Sequence, residues 1–357
     1  MTNLNFRINV LFFFSRTDIL VVPAGKYTEK YIMRIYIQYN GFVFIKLTIL
    51  YKNISSQGVY VTMPINTIER DKEIAKSEHG LEYINIYGEN VDELVKQSID
   101  YIFKNGEKIQ VRAGKALQSY GVNYILTNPR NRVHCLRKGA TQYLCRELLA
   151  YFKGSLKASD GLAQASKFWM TLVDEDGKIN SNYGYYVFHE NVDDVNNQYG
   201  WVIKRLLSNP DSRRAIININ QNYHKSDTKD FPCTVAMQFF IKNNHLNCEV
   251  VSRSTDVITG LPYDMGFFSF IHELVFQDLV EQKYSNLKLG NTVMKTSFTQ
   301  IYDKTKDKAF EVLEQLESKN TKMPIISNAR EVLNDIYYGT EKSDVLKWIK
   351  KEANLNQ

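Results

Sequence analysis

Alternating apolar and polar positions single out two neighbouring runs, TVAMQFFI at 234–241 and LNCEVVSR at 246–253, as strands joined by the polar turn KNNH. Strands this close form an antiparallel hairpin. Pairing Ile241 with Leu246 carries the register down to Cys233 opposite Ser254 and beside Arg253. Apolar residues three and four apart mark ATQYLCRELLAYF at 140–152 as a helix, with Leu144, Leu148 and Tyr151 on one face and Glu147 beside them. The same period runs through GFFSFIHELVFQDLVEQ at 266–282, where Phe267, Phe270, Ile271, Leu274, Val275 and Leu279 form the stripe of a buried amphipathic helix and Asp278 is its one break. MRIYIQYNGFVFIKLTILY, rich in Ile, Phe and Tyr, predicts a further hairpin turning at Asn40-Gly41.

From residue 91 onward helical and extended patterns alternate without internal repeats, which predicts one mixed domain. The chain divides into residues 1–62, a main domain at 63–310 and a charged helical segment at 311–357. The first part is either an appended hairpin or a start placed ahead of the functional one at Met63.

Composition narrows the class. With 357 residues, 44% of them hydrophobic, the chain has enough apolar material for a substantial core. Its net charge of +6 comes from 45 Lys and Arg against 39 Asp and Glu scattered along the chain, which speaks against a nucleic-acid stripe and suits a small anionic ligand. Cys135, Cys145, Cys233 and Cys248 show no CxxC spacing and the six histidines do not cluster, pointing to a reduced, cytoplasmic setting without structural zinc or other metal. No apolar run reaches the roughly 18 residues of a membrane span, and VLFFF at 10–14 is too short for a signal peptide.

The chemistry gathers around the predicted hairpin. A lone cysteine at a strand start is ordinarily an inert buried thiol, but a guanidinium delivered to its side favours thiolate, the nucleophilic form. Glu147, by helix position alone, reads as a solvated carboxylate. In SRSTDVITGLPYD at 252–264, Pro262 opens the following helix and puts Asp264 in its first turn, where exposed N–H groups favour an acid.

Five blocks in fixed order carry a resemblance: RELLAYFKGS (146–155), FWMTLVDEDGKINSNYG (168–184), NPDSRR (209–214), FPCTVAMQFF (231–240) and SRSTDVITGLPYD. Together they resemble the thymidylate synthase and pyrimidine nucleotide hydroxymethylase family over about residues 120–310. The resemblance implies an α+β fold in which a large mixed sheet is covered by helices and sheets pack back to back in a homodimer. It implies Cys233 as the nucleophile that adds to C6 of a pyrimidine nucleotide, activating C5 toward the one-carbon unit of methylenetetrahydrofolate. Glu147 corresponds to the glutamate that organises water and proton transfer, and Tyr183 to a tyrosine near the nucleophile. Asp256, which the resemblance also counts among the catalytic residues, falls with Trp169 and Gly260 where the family meets its folate. Arg253 and Ser254 match the phosphate site, to which Arg213 and Arg214 reach from the other subunit, with Arg130 or Arg132 as a further contact. Tyr302 is placed like the residue that holds the sugar hydroxyl.

Departures from the synthase pattern shift the expected product. Thr234 follows the cysteine where synthases carry histidine, Gln300 replaces the histidine before the sugar-binding tyrosine, and DVLKWIKKEANLNQ replaces a short apolar tail that closes over the folate. A cleft that admits water favours hydroxymethyl over methyl. Asp264 stands where uracil-directed synthases carry asparagine; a carboxyl accepts from cytosine N4 and, when protonated, donates to N3. The expectation is C5 hydroxymethylation of dCMP. The rivals are a thymidylate synthase methylating dUMP and, from another class, a catalytically silent dimer that binds nucleotide or RNA. Cys233, Glu147 and the arginine set speak against silence, because a binder needs no thiolate beside a carboxylate.

Overall fold

The computed structural model describes residues 32–39, 43–50, 81–225, 228–315 and 321–354. It separates into two units, Met1–Glu78 and His79–Gln357. In the first, strands β1 (Ile32–Tyr39) and β2 (Val43–Leu50) pair antiparallel from Ile32↔Leu50 to Tyr39↔Val43. The expected turn at Asn40-Gly41 and the alternative start at Met63 lie outside the described residues.

The second unit is built on a seven-stranded mixed sheet of order β3-β5-β9-β8-β7-β6, with β4 pairing β5. Its strands are β3 (Ile84–Gly88), β4 (Glu107–Val111), β5 (Gly114–Leu126), β6 (Ile216–Asn218), β7 (Thr234–Lys242), β8 (His245–Asp256) and β9 (Lys288–Tyr302). Pairs β3/β5 and β8/β9 are parallel and the others antiparallel. Helices α1 (Val91–Asn105), α2 (Ala140–Lys153), α3 (Gln198–Ser208) and α4 (Leu261–Gln282) pack about it, followed by α5 (Lys306–Glu314), α6 (Ala329–Tyr338) and α7 (Asp344–Ala353). This is the mixed α+β architecture expected of the sequence.

The β7–β8 hairpin turns at Asn243 and Asn244, both left-handed at φ 49° and 59°, the conformation of a two-residue turn whose twist matches its strands. Ile241 pairs with Leu246 as the apolar alternation requires, and that register holds down to Ala236↔Val251. A bulge then intervenes. Val235 turns its carbonyl to the amides of Ile219 and Asn220, at 2.9 and 3.0 Å, and the ladder resumes one residue out of step at Thr234↔Ser252. Cys233 therefore faces Arg253, whose amide donates to its carbonyl at 2.8 Å, instead of the expected Ser254.

Helix α4 departs from an amphipathic stripe. The predicted apolar positions are buried, but so are Ser269, His272 and Glu273 on the remaining surface, because the helix runs between the sheet and neighbouring helices. Each of these polar groups is satisfied internally. Ser269 donates to the Met265 carbonyl at 2.6 Å, and His272 bonds Thr292 at 2.8 Å and the Leu246 carbonyl at 3.0 Å. Asp278, the break in the stripe, is buried and accepts from Tyr199 at 2.9 Å.

The final segment carries most of its charge outward, with Asp335 the buried exception, held by the amides of Lys342 and Ser343 at 2.9 and 2.8 Å. Val345, Leu346, Ile349 and Ala353 are buried as α7 packs on α2. Arg146 fastens the contact, donating to the carbonyls of Ala353 at 2.7 Å and Asn354 at 3.1 Å. Neither α6 nor α7 contributes a side chain to the cleft described next.

Candidate active site

The β7–β8 hairpin, the N-terminus of α4 and the inner face of α2 enclose a cleft of about 410 Å³ lined by Cys233, Glu147, Asp256 and Asp264 among others. A larger depression of about 860 Å³ beside α3 and α6 holds none of Cys233, Glu147, Asp256 and Asp264, so the candidate site is the smaller one.

Cys233 enters β7 behind Pro232, and Arg253 grips that entry. Its side chain donates to the carbonyls of Pro232 at 3.2 Å and Phe231 at 2.7 Å and to the Ser254 hydroxyl at 3.3 Å. Ser254 in turn donates to the Cys233 sulfur at 3.6 Å. Burial pushes the thiol above its ordinary value, opposed by the Arg253 charge and the Ser254 hydroxyl and reinforced by Asp264 and Asp230. The arginine thus acts in the expected direction, but burial outweighs it, and the resting group is a thiol that a base must activate.

Glu147 is buried at 5% exposure, where its helix position suggested a solvated carboxylate. Burial, then the nearby Asp264 charge, pushes its pKa up to about 8, and a hydrogen bond from Tyr143 at 3.0 Å opposes the rise. Asp264 does occupy the first turn of α4, yet it faces the cleft instead of solvent. Burial raises its pKa to about 7 against a weak bond from Thr255 at 3.4 Å. Two carboxyl groups therefore titrate near neutrality inside one cleft.

Asp256 uses one oxygen to accept from the amides of Ile258 and Thr259, at 2.8 and 2.6 Å, while its other oxygen is buried without a partner. Burial raises its pKa in spite of these bonds. The turn that follows closes on Gly260, where a Cβ would stand 2.9 Å from both the Asp256 carbonyl and the Thr255 hydroxyl. Trp169 walls the same region, and an acceptor-only oxygen beside an aromatic wall fits a flat heterocycle carrying N–H donors. Tyr183 is buried between Tyr151 and Phe268, stacked at 5.6 and 6.3 Å, with its hydroxyl pKa raised well above the ordinary value by burial and then by Asp264. Tyr302 and Gln300 of β9 line the cleft beside Asp256, the cross-strand partner of Gln300, and the Gln300 side-chain oxygen is buried without a partner. Thr234, buried behind the cysteine, meets Ser252 at 3.4 Å.

Four arginines named from sequence lie elsewhere. Arg213 and Arg214 are exposed ahead of β6 and do not line this chain's cleft. Arg130 and Arg132 are drawn to Glu273 of α4, Arg130 at 2.7 Å and Arg132 at 1% exposure, forming an ion triad outside the cleft in which Arg132 and Glu273 are buried and Arg130 is partly exposed. In their place the cleft has Arg112, at the tip of the β4–β5 turn, bonded to the Lys229 carbonyl at 3.0 Å. Its signal is the short VRAG turn between two extended runs, which sets a cation at a strand end. Among the described residues no group of three or more His, Cys, Asp or Glu could hold a metal ion, and no helix is long and apolar enough to cross a membrane.

A cysteine beside an arginine, sharing a cleft with buried carboxyl groups and unpaired acceptors, is the set of groups that covalent addition to a ring requires. Residues 94–344 match the family model for thymidylate synthase, and the chain belongs to that family. Among relatives, it is 30% identical over 169 residues to deoxycytidylate 5-hydroxymethyltransferase of Enterobacteria phage T4, covering 46% of this chain and 68% of that protein. The phage T6 protein of the same description is 33% identical over 143 residues, covering 39% and 57%. Thymidylate synthase of Buchnera aphidicola is 30% identical over 153 residues, covering 41% and 53%. The protein is accordingly a transferase of one-carbon units to a pyrimidine nucleotide, in a family whose co-substrate is methylenetetrahydrofolate.

Proposed function

We propose that the protein hydroxymethylates dCMP at C5. The observation that carries this reading is Asp264, a cleft-facing carboxyl with its pKa near 7. In its protonated form it donates to cytosine N3 while its other oxygen accepts from N4. Ionised, it opposes the O4 lone pairs of uracil. Three relatives described as deoxycytidylate 5-hydroxymethyltransferases support the same base.

Cys233 adds through sulfur to C6 of the ring, making C5 nucleophilic, and Arg253 favours the thiolate that does so. Methylenetetrahydrofolate, when bound, supplies the carbon that C5 receives; Asp256, Gly260 and Trp169 hold it. Glu147, with a pKa near 8, relays the C5 proton that is lost as the tetrahydrofolate nitrogen departs, and orients the water that adds to the exocyclic methylene so left; the C5–C6 double bond then re-forms as the carbon–sulfur bond breaks and frees Cys233. Tyr183 stands beside the nucleophile. Arg253, Ser254 and Arg112 meet the phosphate, joined by Arg213 and Arg214 of a second subunit, and Tyr302 takes a sugar hydroxyl. The exposed positions of Arg213 and Arg214 and of Val251 at 47% on the sheet face support a homodimer with facing sheets.

The test is to offer dCMP, dUMP and CMP with methylenetetrahydrofolate and weigh the products. Hydroxymethyl-dCMP with tetrahydrofolate is expected. A methylated product formed in step with dihydrofolate would make the protein a thymidylate synthase, and no turnover of any of the three would make it a binding dimer.

A further inference from the structure

Tyr143 stands one helical turn before Glu147 on α2, and its hydroxyl sits between two partners. The indole N–H of Trp169 reaches it at 3.3 Å, and it reaches Glu147 Oε1 at 3.0 Å. Indole nitrogen only donates, and a phenol has one proton. Tyr143 therefore accepts from Trp169 and, toward the ionised Glu147, donates its own proton, which sets the direction of the chain from Trp169 through Tyr143 to the carboxylate. The ring is held by Tyr263 of α4, 4.4 Å away and tilted 59°, whose own hydroxyl accepts from Arg137.

We infer that Tyr143 is a positioning residue that ties the aromatic wall at Trp169 to the proton-transfer carboxylate of Glu147. Its hydrogen bond commits Oε1 as an acceptor and leaves Oε2 as the oxygen that gains and loses the proton. The bond favours the charged carboxylate, opposing burial and the Asp264 charge from α4; the other groups about Glu147, Tyr151 and Tyr263, are neutral phenols, with Arg137 beyond Tyr263. A ligand that presses on Trp169 therefore changes how tightly Glu147 holds its proton. The inference rests on the reading of Glu147 as the proton-transfer group.

Two measurements on the full chain test it. In the pH profile of kcat, Glu147→Gln identifies the inflection due to that group, and Tyr143→Phe should move it upward by about half a unit to one unit while leaving the nucleotide KM nearly unchanged. In protein whose only tryptophan is Trp169, through Trp201→Phe and Trp348→Phe, the emission should titrate with Glu147, and Tyr143→Phe should flatten that titration. The second measurement needs no turnover, so it decides the inference even if no nucleotide is converted or Glu147→Gln leaves the profile intact, results that would sink the functional reading alone. An emission titration that survives Tyr143→Phe, or an inflection that Glu147→Gln removes and Tyr143→Phe leaves in place, overturns the inference.

Discussion

Arg253 and Cys233 are cross-strand partners. The arginine amide bonds the cysteine carbonyl at 2.8 Å, and its side chain holds the two carbonyls that precede the cysteine. One residue thus fixes the backbone that presents the sulfur and supplies the charge that opposes its burial.

Cys233→Ala should lower turnover by roughly 10³-fold or more while nucleotide binding stays measurable by calorimetry, since the substitution removes the bond to C6 and leaves the phosphate contacts. A folded variant with near-normal rate would end the covalent mechanism.

Asp264→Asn should invert base preference. An asparagine amide accepts from uracil N3–H and donates to O4, while an unmatched buried polar group costs about 1–3 kcal/mol. The wild type is expected to favour dCMP over dUMP in kcat/KM, and the variant the reverse, by about tenfold or more in each direction. Unchanged ratios would return Asp264 to the role of a helix-start acid.

The same substitution has a pH signature in stability. Asp264 binds its proton more tightly folded, at about 7, than its ordinary value of 3.8. Its contribution is therefore complete at low pH and is lost as pH rises through that interval. Asp264→Asn escapes the loss, so urea denaturation should find it more stable than wild type by about 2–4 kcal/mol at pH 8, with the gap closing toward pH 4. A gap independent of pH would assign the change to packing.

Arg213→Ala protein mixed with Cys233→Ala protein should regain roughly a quarter of wild-type activity after subunit exchange, because half the dimers are hybrids and each hybrid has one intact site. Verified exchange without recovery would place Arg213 outside the partner's site.

Removing residues 1–62 should leave kcat and KM within about twofold, since every assigned site residue lies beyond Met63. A truncated chain that does not fold would make the β1–β2 hairpin part of the functional protein.

Local pattern carried most of what could be read in advance. Alternation gave the β7–β8 pairing as far as Ala236, and helical spacing gave α2 with its buried Leu144, Leu148 and Tyr151. The single step lost at Cys233 is owed to β6, whose neighbouring amides claim the Val235 carbonyl, a long-range demand invisible in the hairpin itself. The burial of Glu147 and the internal bonds of His272 and Glu273 depend likewise on what packs around them. Arg130 and Arg132 sat in a motif rich in arginine, yet their partner Glu273 lies about 140 residues away in sequence, as the separations of 143 and 141 show. Arg112, in a plain turn, lines the cleft that they do not reach.

The hold of Arg146 on Ala353 spans 207 residues of chain, so the outer side of the helix bearing Glu147 is secured only after the whole sheet has been synthesised. Such distant contacts form late, since loop closure must precede them. Refolding from denaturant should then run in stages: the circular-dichroism signal of sheet and helices returns first, and the ability to turn over substrate returns with the docking of α7. A ribosome-bound chain halted before residue 344 would hold Cys233, Asp256 and Asp264 in place while its Glu147 helix still lacked its clamp.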